Sequence, residues 1–134
     1  RPETFDFLGF THTAARSQDG SFLLLRLTAK KKRQAKYREV QASLRARRHR
    51  PPAETYEWLS SVLRGHYNYY GVPGNELRLR RFRVQVQGAW HRQLMRRSQR
   101  ATWSLEHRRR FNARYDLPRP RIVHPWPEAR FADR

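Results

Sequence analysis

The sequence predicts a mainly α protein: an N-terminal β-hairpin, a three-helix bundle, a short fourth helix and a proline-rich tail. Three observations lead there. Apolar residues recur at helical spacing through the middle of the chain. Pro51-Pro52 and the Gly71–Gly74 stretch punctuate that region into helix-sized pieces. Ahead of it, two short Phe- and Leu-rich runs flank Asp19-Gly20, a turn signal.

Each element has its own justification. Over residues 5 to 27, "FDFLGFTH" and "SFLLLRLT" read as the two arms of a hairpin. A two-stranded hairpin is marginal alone, so it should pack on the helices that follow or complete a larger sheet. Thr28 can cap a helix running to about Arg48, with Arg33, Tyr37, Val40 and Leu44 in one line. Pro51-Pro52 suits the first turn of a second helix, about Ala53 to Tyr70. Leu59, Val62, Leu63, His66 and Tyr70 fall in one sector of it, while Glu57, Ser61, Arg64 and Asn68 face away. The third helix, about Asn75 to Gln99, carries Leu79, Phe82, Val86, Trp90 and Leu94 on one stripe. Arg78, Arg81, Arg92 and Arg96 line another side of it. A fourth helical segment spans about Thr102 to Tyr115. Residues 116–134 hold four of the eight prolines, which excludes a helix interior, and should lie extended on the body through Ile122, Val123 and Trp126. The organisation is thus 1–27 hairpin, 28–115 helical domain and 116–134 extended basic tail.

Charge narrows the function. Thirty Lys and Arg against eleven Asp and Glu give a formal net charge of +19 over 134 residues. A cationic excess of this size points to a polyanionic partner, because each neutralised phosphate releases condensed counterions. Membrane insertion is disfavoured: the longest apolar run falls far short of the roughly 20 residues a spanning helix needs. With no cysteine, disulfides, thiolate metal sites and a Cys nucleophile are excluded. The six histidines are scattered and no two acids are adjacent, so neither a zinc site nor a two-metal nuclease centre is legible. The chain opens on "RPETFDFLGF" with an apolar run already under way, as a piece of a longer protein would.

Candidate contacts follow from residue type and helical face. In "AKKKRQAKYR" the cations Lys30, Lys31, Lys32, Arg33 and Lys36 are candidates for phosphate contacts. In "RGHYNYYG", Arg64 and Asn68 face outward and are candidates for RNA contact, whereas His66 and Tyr70 belong to the core side. Tyr67 and Tyr69 sit at the edge of the apolar sector, where a ring can stack on a base. Arg78 and Arg81 can track a backbone along the third helix. No carboxylate follows His66 at helical spacing, so the cluster lacks the makings of a catalytic site.

Taken in order, "FDFLGFTH" before a Lys-rich helix, "WLSSVLRGHYNYYG", "AWHRQLMRRS" and "RIVHPWPEARF" resemble the C-terminal part of bacterial group II intron-encoded reverse transcriptases. The resemblance covers essentially the whole chain, from the last palm strands through the thumb, known as the maturase-specific or X domain. It implies that Phe7 to Phe10 belong to the palm-to-thumb hairpin and Arg64 to Tyr70 to the thumb. It further implies partners: intron RNA, a template-primer duplex, and the upstream fingers and palm, in a bacterial cytoplasmic ribonucleoprotein serving RNA splicing and intron mobility. The Y-A-D-D type catalytic motif is absent from this chain, so the chain alone should not polymerise and needs no cofactor; the parent polymerase would use magnesium. An independent basic RNA-binding protein of a ribonucleoprotein is the alternative.

Overall fold

The computed structural model describes residues 4–16, 18–97 and 103–124. Three strands precede four helices: β1 (Thr4–Phe7), β2 (Phe10–Arg16), β3 (Phe22–Thr28), α1 (Lys30–Ala46), α2 (Pro52–Tyr70), α3 (Glu76–Arg97) and α4 (Leu105–Arg114). The mainly helical class with an N-terminal antiparallel sheet is as the sequence predicts. The sheet has three strands in the order β1-β2-β3, one more than the expected hairpin. "FDFLGFTH" divides at Leu8-Gly9, whose φ angles of 52° and 84° make a two-residue turn that closes Phe7 onto Phe10. Positive φ at both central positions is what a tight hairpin turn demands, but Leu there lacks the usual Asn or Gly signature. The second turn conforms: the Asp19 carboxylate accepts from the Ser21 backbone N–H at 2.9 Å, and β2 then pairs with β3 from Phe10↔Thr28 to Arg16↔Phe22.

Thr28 does not cap α1. Ala29 occupies the cap position without a side-chain hydrogen bond, and Thr28 ends β3 instead. The Thr28 N–H donates to Asn75 Oδ1 at 3.0 Å, and Asn75 Nδ2 donates to Thr28 Oγ1 at 2.8 Å and to the Tyr70 carbonyl at 2.9 Å. One fully buried amide thereby joins the end of the sheet, the end of α2 and the start of α3. Pro52 and Glu54 occupy the first turn of α2, matching the missing N–H of proline and the helix dipole. For α4 the cap is Ser104, whose hydroxyl accepts from the His107 N–H at 3.1 Å; the expected start at Thr102 lies outside the described residues.

The core is built from the predicted stripes: Val40 and Leu44 of α1, Leu59 and Leu63 of α2, and Leu79, Phe82, Val86 and Trp90 of α3. The start of α1 lies against the start of α3, where Arg33 neighbours Arg78, and the ends also meet: Arg48 Nε donates to Gln93 Oε1, and an Arg97 guanidinium N–H donates to the Arg50 carbonyl. Helices α1 and α3 therefore pack directly on each other and run parallel, with α2 running back against the pair.

The tail's first half is a strap. Leu117 is buried in the core, where the sequence pointed to Ile122 and Val123, whose side chains are exposed; Trp126 lies outside the described residues. Tyr56 donates to the Asp116 carbonyl and Tyr67 to the Pro118 carbonyl, both at 2.8 Å. Arg83 donates to the Leu117 carbonyl at 3.0 Å and pairs with Asp116 at 3.1 Å. The Val123 and His124 N–H groups donate to the Gly71 carbonyl. A Cβ at position 71 would lie 2.7 Å from the Arg121 carbonyl, so glycine permits the strap to close on the end of α2.

Asn75→Ala should destabilise the chain by about 2–4 kcal/mol in urea unfolding, since it strands a buried N–H and a carbonyl; a loss below about 1 kcal/mol would contradict the amide's joining role.

Candidate nucleic-acid interface

Helix α1 places its cations on two sides. Lys32 and Lys36 turn toward α2, where they form one wall of a groove of 490 Å³ whose other wall carries Gly65, His66, Tyr69 and Tyr70. The groove thus carries Lys32, Lys36 and the carboxylate of Glu39 on one side and aromatic rings on the other. Lys36 makes a 3.6 Å ion pair with Glu39, one turn further along α1. This exposed pair contributes little to stability and leaves the lysine able to turn to another anion.

Toward α3 the charges are crowded. Burial, then the neighbouring positive charges of Arg33 and Arg81, push the Arg78 guanidinium below its ordinary value. Among the described residues no carboxylate forms an ion pair with any of these three arginines. Further along the same side, Arg45, Arg92 and Arg96 line a shallow depression with Gln41 and Gln93, and an Arg92 N–H donates to the Tyr37 hydroxyl at 2.7 Å. At about 1.5 Å of rise per residue, the arginine-lined side of α3 from Arg78 to Arg96 extends about 27 Å.

The sequence-predicted contacts therefore divide. Lys32, Lys36 and Tyr69 share the α1–α2 groove, and Arg33, Arg78 and Arg81 share the α1–α3 side. Lys30 and Lys31 are exposed at the start of α1, and Arg64 and Asn68 are exposed on α2. Tyr67 is a correction. It is only 3 % exposed, and burial pushes its phenol up to about 12, against the opposing pull of Arg83. Its hydroxyl is committed to the strap, so the ring is no platform for a base. Tyr69 is 52 % exposed and keeps that capacity.

His66 and Tyr70 take the core positions the helical projection gives them. The His66 ring stacks on Phe82 at 4.2 Å and tilts against Tyr70 at 4.7 Å. Burial, reinforced by the positive charge of Lys36, pushes its pKa from 6.5 down to about 4. The imidazole is then neutral in the fold at neutral pH and serves as a packing ring. Among the described residues, no group of three or more His, Asp or Glu is placed to hold a metal ion, and no helix is long and apolar enough to cross a membrane.

Sequence reasoning missed Asn75, Arg83 and Leu117, which hold the scaffold behind these faces, and Arg26 of β3, which lines a hollow with Asn68 and Tyr69. None of them has a local signal: each acquires its role from a partner far along the chain. No family model matches the chain, and no curated protein or solved structure is detectably similar to it.

The neutral His66 gives a pH dependence of defined sign. Because the unfolded chain binds a proton at this site below pH 6.5 and the folded chain does not, stability is complete above that value and falls as pH drops toward about 4. Between pH 6.5 and about 5 the loss is about 2 kcal/mol. Urea unfolding at the two pH values should show His66→Phe losing less stability than the parent chain; equal losses would refute a neutral, buried imidazole.

Proposed function

We propose that the chain is an RNA-binding thumb and maturase region of a group II intron reverse transcriptase, gripping intron RNA and template-primer duplex to assist splicing and reverse transcription. The observation that carries the RNA-binding part is the crowding of Arg33, Arg78 and Arg81 with no paired carboxylate among the described residues. Like charges so placed repel one another in the free protein, and a phosphate backbone relieves the repulsion. The parallel α1 and α3 present these cations on a rigid face, which suits recognition of RNA by backbone and groove shape.

The family part is supported by the ordered motifs from "FDFLGFTH" to "RIVHPWPEARF" and by a sheet that leads directly into a helical bundle. In this reading the chain supplies grip and position, and the polymerase chemistry with its magnesium belongs to the upstream fingers and palm. An upstream reading frame with a Tyr-rich Asp-Asp motif would support it; a start codon just before Arg1 would favour an independent RNA-binding protein.

Affinity for structured RNA should fall steeply with salt. Exchanging Lys32 and Lys36 for Gln should lower the slope of log affinity against log salt by about 2, and the further reversal of Lys30, Lys31, Lys32 and Lys36 to Glu should weaken binding at least about tenfold. Unchanged affinity and slope, read by filter binding or fluorescence anisotropy, would overturn the assignment of α1.

A further inference from the structure

A hollow of 430 Å³ lies apart from the α1 cations, between the tip of the β1–β2 hairpin, the end of α2 and the strap. Its principal wall is Tyr69. That ring is stacked on Phe10 at 5.6 Å and 16°, meets Tyr70 edge-on at 4.7 Å, and its hydroxyl donates to the Leu8 carbonyl at 2.6 Å. A half-exposed aromatic ring is thus held from three directions. Its anchor comes from Leu8, a residue with a left-handed φ of 52° that costs backbone energy in any side chain bearing a Cβ. Leu8 is itself 68 % exposed and Phe7 59 %, so the strained turn supports an apolar rim rather than a core contact.

The polar side chains lining the hollow are those of Arg26, Asn68, His12 and His124, beside the Tyr69 hydroxyl. Arg26 supplies a fixed positive charge from β3, and Asn68 supplies both a donor and an acceptor from α2. Asn68 is steadied in turn, since a ring nitrogen of His124 is 2.7 Å from its backbone carbonyl. Among the described residues no Asp or Glu lines the hollow.

We propose that this hollow binds one unpaired nucleobase of single-stranded RNA, stacked on the exposed face of Tyr69, its edge read by Asn68 and its phosphate held by Arg26. The proposal rests on the RNA-binding reading above and assigns to it a second contact, which adjoins the α1–α2 groove at Tyr69. An apolar peptide could use the rim and meet Asn68 with its backbone, but it would bring no anion to Arg26. A base paired in a duplex cannot enter, because its faces are already stacked. A splayed base satisfies the ring, the amide and the cation together, and an already immobilised platform loses little freedom on binding.

The test compares a short single-stranded RNA, the same RNA with one internal abasic site, and a duplex of equal length, each titrated against the 134-residue chain and its Tyr69→Ala, Tyr69→Phe and Asn68→Ala variants. We expect Tyr69→Ala to weaken single-strand binding about tenfold and duplex binding by a clearly smaller factor, because Tyr69 also borders the α1–α2 groove. Tyr69→Phe should retain most of the affinity. The abasic RNA should lose the same factor on the parent chain and nothing more on Tyr69→Ala. Equal losses for single strand and duplex, or an abasic RNA bound as tightly as the intact one, would overturn the proposal while leaving salt-dependent RNA binding intact. Self-association of the chain that Tyr69→Ala abolishes would assign the rim to a second copy and also overturn it. If no RNA binds at low salt, it is the RNA-binding reading itself that fails.

Discussion

Asn75 sets the geometry on which the rest depends. Its fully buried amide satisfies the last backbone N–H of β3, the Thr28 hydroxyl and the Tyr70 carbonyl at once. Sheet, α2 and α3 therefore meet at one polar point inside an apolar setting, where an unpaired group would be costly and a paired one fixes position. Two consequences follow from that junction. The starts of α1 and α3 are brought side by side, which gathers Arg33, Arg78 and Arg81; and the end of α2 is set against the hairpin, which places Tyr69 on Phe10.

The second constraint is charge. A chain with net charge +19 must hold a modest core together against its own repulsion. It does so by burying large rings and branched chains among α1, α2 and α3, and by strapping the tail through Leu117, Arg83, Tyr56 and Tyr67. Few carboxylates offset the cations: Asp116 serves Arg83 and Arg119, and Glu39 serves Lys36. Among the described residues the cations of the α1–α3 side have no carboxylate partner, and the proposal of an anionic partner starts from that excess.

The helices were legible because each carries a periodic apolar stripe between proline or glycine boundaries, and the buried residues of α3 follow that stripe closely. The third strand was not, because Leu8-Gly9 lacks the common turn chemistry and leaves "FDFLGFTH" looking like a single run. Thr28 looked like a cap by residue type, yet its hydroxyl is taken by Asn75, 47 positions away. Tyr67 lay at the edge of the helical projection; a partner carbonyl at Pro118 in the tail decided for burial, which no local pattern encodes. Of the interface, the cations of α1 and α3 could be named from sequence. Their division into an α2-facing groove and an α3-facing row, and the hollow between hairpin and strap, exist only once distant elements are assembled.

Hydrogen exchange of the chain with and without a structured RNA tests the central claim most directly. The account predicts new protection over the first turns of α1, the start of α3 and the Leu8-Gly9 tip with the end of α2, while the core amides around Leu63 and Phe82 stay unchanged. Protection confined to α4 and the tail, or no protection at low salt, would contradict it.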